Sequence, residues 1–123
     1  MRTKQTSVTI GQNAEKRACD YLKRQGLQLI EQNYRCKQGE IDLVMRQNHT
    51  IVFVEVRYRK NALHGSGAET VTFSKQKKLL SSATQYLLER YNSVDLPCRI
   101  DVLSLGTNNH DTQWIQNAIE KRY

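Results

Sequence analysis

One proline, six glycines and three cysteines are all that 123 residues contain of the usual chain-punctuating types. No Pro/Gly-rich linker, low-complexity tract or internal repeat interrupts the chain, so a single domain spanning 1–123 is expected, with residues 1–9 flexible. Cys19, Cys36 and Cys98 are odd in number, far apart and free of any CxxC pair. His49, His64 and His110 are as scattered. Structural zinc needs four soft ligands, usually with a close-spaced pair, so reduced and partly buried thiols are expected instead. No apolar run approaches the roughly 20 residues that cross a bilayer. The basic start, Met1 to Ser7, lacks the apolar stretch of a secretory signal. A cytoplasmic protein with no membrane partner is expected.

Positive charge is plentiful. Nineteen basic residues against 12 acidic ones leave a formal charge of +7. Residues 1–30 carry six basic and two acidic groups, whereas residues 91–123 carry three and four. An excess of cations attracts polyanions at long range without specifying which.

The apolar pattern divides the chain into elements. Ala14, Ala18, Tyr21 and Leu22 form a helical stripe over about Ile10–Gln25, which Gly26 would stop. Strands are expected over about Leu27–Tyr34, Gln38–Arg46 and Ile51–Arg59, the last two joined by the polar turn Gln47–Thr50. Short turns make these three an antiparallel meander. Lys60–Glu69, with Gly65-Ser66-Gly67, reads as a mobile loop. A second helix over Ser74–Tyr91 would bury Leu79, Leu80, Ala83, Tyr86 and Leu87 and crowd Lys75, Lys77 and Lys78 into its first turn. Cations there oppose the helix dipole, a cost that bound phosphate relieves. A strand over Arg99–Leu105 follows Pro97, and Thr112–Ile119 fits either a strand or a strand leading into a short helix. The order is that of an α/β domain with helices packed on a central sheet.

Two strand segments carry chemistry: Gly39-Glu40-Ile41-Asp42 and Val54-Glu55-Val56-Arg57. Side chains two apart in a strand share a face. If Arg46 pairs with Ile51, Asp42 falls opposite Glu55 and Glu40 opposite Arg57. Opposed Cβ atoms are about 5 Å apart. Two carboxylates at that distance repel by roughly 1 kcal/mol in water and 3 kcal/mol at an effective dielectric of 20. A divalent cation turns that repulsion into attraction, and hard oxygens around such an ion suit phosphodiester hydrolysis. An acid-x-base triplet arises roughly twice by chance in this composition, so Glu55-Val56-Arg57 alone signifies little. Glu40 and Arg57 also fit an ordinary cross-strand ion pair. The combination of both segments is what points to a metal site.

These motifs resemble a known family. Gly11 to Glu15, Asn33-Tyr34-Arg35, Gly39 to Val44, Phe53 to Arg59, Lys75 and Arg99-Ile100-Asp101-Val102 look like the YraN-like family of small bacterial proteins, over about residues 10–119. That family is placed in the PD-(D/E)xK nuclease superfamily. The resemblance implies a restriction-endonuclease-like fold, a central mixed β-sheet flanked by helices in α-β-β-β-α-β order, related to Holliday-junction resolvases that work as homodimers. It implies that Asp42, Glu55 and the Val56 carbonyl hold Mg²⁺ or Mn²⁺. Glu40 and Glu15 would be accessory acids, although Glu15 fits a solvated helix position equally. Asp101 also has a plain role, as partner of Arg99 or a strand-end cap. Two positions depart from the family pattern: Ala14 replaces a usual glycine, and Arg57 stands where the motif has lysine. An arginine stays protonated and steadies a phosphate or hydroxide rather than acting as a base, which leaves Lys60 and Lys75 as sources of an amine. Arg59, Lys60, Lys75, Lys77 and Lys78 would grip the nucleic-acid backbone, with the loop around Gly65 closing over it.

The functional expectation is a metal-dependent, endonuclease-like protein that binds nucleic acid, in the first instance DNA, and hydrolyses phosphodiester bonds, with Asp42, Glu55 and Arg57 as catalytic residues. A catalytically inactive nucleic-acid binder on the same fold and a protein-interaction module are the alternatives.

Overall fold

Ala14, Ala18 and Leu22 lie one turn apart and are all buried, and they seat the first helix, α1 (Ser7–Arg24). A computed structural model describes residues 7–59, 71–108 and 111–119, with side chains from residue 13 onward. The helix starts three residues before Ile10, because nothing between Ser7 and Gly11 stops a helix as proline would. Of the residues expected to be flexible, 7–9 therefore belong to α1, and 1–6 lie outside the described residues. At the other end Gly26 has φ 96°, a left-handed conformation that glycine adopts without a Cβ penalty.

The meander expected from the short turns is present: β1 (Gln28–Cys36), β2 (Gly39–Gln47) and β3 (Thr50–Tyr58) are successive antiparallel neighbours. The second helix, α2 (Phe73–Tyr91), opens with the Thr72 hydroxyl accepting the Lys75 N–H at 3.1 Å. It ends at Asn92 in the left-handed region. This helix is the crossover that lets β4 (Cys98–Leu105) lie parallel to β3. The tail is a strand, β5 (Gln113–Ile119), antiparallel to β4. The outcome is a five-stranded mixed sheet in the order β1-β2-β3-β4-β5 with two helices, compatible with a restriction-endonuclease-like fold.

Both faces of this sheet are covered, which is why β3 reads as a nearly continuous apolar run. Leu43, Met45, Val52, Val54, Leu103 and Leu105 pack with Ala14, Ala18, Cys19 and Leu22 of α1. Val44, Ile51, Phe53, Ile100 and Val102 pack with Leu79, Ala83, Tyr86 and Leu87 of α2. Leu80, expected in that core, is only partly buried. Period two then places Glu55 after Ile51 and Phe53 in the α2-facing series.

The strand outcome for the tail has a specific cause. Asp101, fully buried in β4, accepts hydrogen bonds from Trp114 Nε1 and the Asn117 N–H, both at 2.9 Å. It also accepts from Arg99 Nε, at 3.0 and 3.1 Å to its two oxygens, so its expected pairing with Arg99 is present. A buried carboxylate needs such partners, and two of them come from β5. Among the described residues, no helix is long and apolar enough to cross a membrane. Lys60 and the loop around Gly65 lie outside the described residues.

Candidate metal centre

The β2–β3 register runs as the Arg46–Ile51 pairing predicts, through Met45–Val52 and Val44–Phe53 to Leu43–Val54. There it stops. Asp42 is not a ladder partner of Glu55, because its own Oδ2 accepts the Val56 N–H at 2.8 Å. A side-chain oxygen has taken the place of a strand carbonyl, and the strands part beyond it. Glu40 consequently does not face Arg57. It faces Arg35 across the tight β1–β2 turn, with Arg35 Nε 3.6 Å from Glu40 Oε2.

The other side of Asp42 is irregular too. Ladder pairs Gln32–Leu43 and Tyr34–Ile41 flank Asn33, which has φ 53°. Asparagine is among the few residues that tolerate this region. Leu43 packs with the α1 core and Ile41 with the α2 core, although they are two residues apart in one strand. Asp42 thus sits opposite the left-handed Asn33 on one side and at the end of the β3 ladder on the other. Asn33 also hydrogen-bonds the Glu15 side chain, which brings α1 to the same place.

The carboxylates converge electrostatically. Glu55 is 5% exposed, and burial followed by repulsion from Asp42 pushes its pKa up to about 7. Burial also raises Asp42, and the charge of Glu40 adds to that, against the Val56 hydrogen bond, Lys75 and Arg57. Glu15 is raised by burial and then by Asp42. Two cations answer Glu55: Lys75 Nζ lies 3.6 Å and Arg57 Nη1 3.8 Å from its Oε1.

Does this set fit a hard divalent cation? Two neighbouring acids whose charged forms disfavour each other supply hard oxygens and a reason to bind one. Among the described residues no three His, Cys, Asp or Glu side chains come together as a complete ligand set. Mg²⁺ is ordinarily held by one or two carboxylates, with water and substrate phosphate filling the rest, so Asp42 and Glu55 suffice. Val56, expected to offer its carbonyl, also donates its N–H to the Asp42 carboxylate.

The basic residues separate. Lys75 and Lys78 line a cavity beside the carboxylates together with Arg35 and Glu40. Lys77 turns elsewhere, its Nζ 4.7 Å from the centroid of the exposed Phe73 ring. Arg59 Nε and Nη1 are buried without a hydrogen-bond partner among the described residues. Asn33 and Arg35 are the site residues that residue-by-residue reasoning left without a role. An asparagine within a β-prone run, and the arithmetic of a turn over Lys37-Gln38 that sets Arg35 against Glu40, were the available signals.

Residues 14–105, from α1 to the end of β4, match the model of a family described as Uncharacterised protein family UPF0102. The chain belongs to this family. Family UPF0102 is the YraN-like group that the motifs resemble. A UPF0102 protein of Vibrio parahaemolyticus is 46% identical over 112 residues, covering 91% of this chain and 93% of the relative. One of Vibrio vulnificus is 47% identical over 111 residues, covering 89% and 91%. One of Pseudomonas fluorescens is 41% identical over 110 residues, covering 89% and 92%. The UPF0102 span includes Glu15, Asn33, Asp42, Glu55, Arg57 and Lys75.

Proposed function

We propose that this protein binds DNA and hydrolyses a phosphodiester bond at a divalent-cation site formed by Asp42 and Glu55. The observation that carries this is the buried Glu55, raised by burial and then by the charge of the half-buried Asp42, with two cations drawn up to it. Basic charge and the superfamily resemblance of UPF0102 support it. Asp42 is held by the Val56 N–H and Glu55 by Lys75 and Arg57, so both are oriented before substrate arrives. When bound, Mg²⁺ or Mn²⁺ supplies an activated water and offsets charge on the phosphate. Water oxygen adds to phosphorus, the opposite P–O bond breaks, and a proton passes to the departing oxygen. Lys75, whose amine contacts Glu55, would provide the amine that the motif position lacks, while Arg57 would neutralise the phosphoryl oxygens. The Val56 carbonyl would join Asp42 and Glu55 in holding the ion.

The presence of Arg57 favours a second reading, an inactive DNA binder on the same fold. Incubation of plain and branched DNA with the protein in Mg²⁺ or Mn²⁺ separates the two. The hydrolytic reading expects cleavage that Asp42→Ala abolishes. Cleavage unaffected by that substitution ends it, and tight, salt-sensitive binding without product selects the inactive binder.

A further inference from the structure

Two cavities each have a lining residue that interacts with one of the carboxylates, and their charges differ. One, of about 370 Å³, lies between the β1–β2 turn and α2, with Arg35, Gly39, Glu40, Lys75 and Lys78 in its lining. The other, of about 460 Å³, lies between α1 and β1, with Glu15, Lys16, Asp20, Lys23 and Asn33. The first gathers three cations around one carboxylate, which Arg35 already holds at 3.6 Å. The second balances two acids with two lysines. One lining residue links each cavity to the carboxylates. Lys75 reaches Glu55 from the first, and Glu15 adjoins Asp42 from the second.

The cationic cavity is also built to a fixed width. Gly39 has φ 153°, and a Cβ there would stand 3.1 Å from Ser82 Oγ and 3.5 Å from Lys78 Cβ. Glycine thus lets the β1–β2 turn press on α2 at the level of Lys78. That contact sets how far Arg35 stands from the two lysines. Lys75 and Lys78 are one helical turn apart, about 4.5 Å along the axis.

We propose that the cationic cavity between the β1–β2 turn and α2 binds the phosphate adjacent to the one at the metal centre, so that the bound DNA strand runs across this turn and not along α1. The inference rests on the nuclease-like reading above and adds the strand's path to it. Arg35 and Lys78 grip the adjacent phosphate, and Lys75 stands between the two phosphates. Lys77, turned to Phe73, takes no part.

The test uses the full chain and a fluorescein-labelled DNA duplex, with anisotropy titrations at several salt concentrations. Arg35→Ala and Lys78→Ala are each expected to weaken binding and to reduce the slope of log K against log salt by about 0.9. Lys16→Ala and Lys23→Ala, in the balanced cavity, keep the wild-type slope. The Mn²⁺-induced rise in Tm stays at its wild-type size in Arg35→Ala, which shows an intact fold and metal centre. Wild-type affinity and slope in the Arg35→Ala/Lys78→Ala double variant, with the parent protein binding DNA, overturn the strand path alone. If the parent forms no salt-dependent complex with DNA, the DNA-binding reading fails first.

Discussion

The Asp42 carboxylate accepts the backbone N–H of Val56, at 2.8 Å, at the point where the β2–β3 ladder ends. One oxygen thereby finishes the pairing of two strands, and the charge of the same carboxylate raises the pKa of Glu55. The contact makes Asp42 a structural and a chemical residue at once, and substitutions there act on both.

Asp42→Asn keeps an acceptor for Val56 and removes a charge, whereas Asp42→Ala removes both. In EDTA the asparagine variant is expected to melt at or above the parent's Tm, because it relieves repulsion with Glu55. The alanine variant leaves a partly buried N–H unpaired, at a cost of about 1 kcal/mol, and should melt lower than the asparagine variant. Both should lose the rise in Tm that Mn²⁺ confers on the parent by mass action. A full Mn²⁺ shift in either variant would remove Asp42 from the metal site.

Glu55 sets a pH dependence. Its folded pKa of about 7 lies above the ordinary carboxyl value, so the native state retains a proton that the unfolded chain releases. The corresponding stability is complete below about pH 4.5, declines as pH rises, and is gone above about pH 7. The change amounts to about 3 kcal/mol at most. Urea titrations in EDTA at pH 5 and 7.5 should show this decline, and Glu55→Gln should flatten it. Saturating Mn²⁺ at pH 7.5 should reverse the decline. Equal stability of parent and Glu55→Gln at both pH values would contradict the burial argument.

Lys75 and Arg57 both contact Glu55, but an amine serves in proton transfer where a guanidinium does not. Lys75→Ala is therefore expected to lower cleavage by about 100-fold or more. Arg57→Lys, which keeps a cation in place, should change it by less than about tenfold. A protein inactive as the parent and active as Arg57→Lys would instead be a decayed nuclease that needs its lysine on β3.

Asp101 holds β5 to β4 through Trp114 and Asn117. Asp101→Ala should destabilise the fold by about 3–5 kcal/mol, since the Arg99 guanidinium loses the carboxylate it is paired with. Near-UV circular dichroism should report the freed Trp114 indole. Parent-like unfolding by urea would show that β5 is held by packing alone.

The amino-acid order determined the two helical stripes, the three-strand meander and the β2–β3 register, because each follows from periodicity and short turns. It also marked Asp42 and Glu55, whose charges interrupt apolar strands. Tertiary structure decided the rest. Lys75 is 20 positions from Glu55 in sequence, and only the crossover of α2 brings its amine to 3.6 Å. That β5 is a strand depends on a carboxylate in β4, a partner that no local pattern in the tail reveals. The end of the β2–β3 ladder at Asp42 is likewise invisible to period-two reasoning, since it comes from a side chain taking a backbone's hydrogen bond. Local periodicity records which face a residue occupies, whereas the meeting of distant charges depends on how separate elements pack.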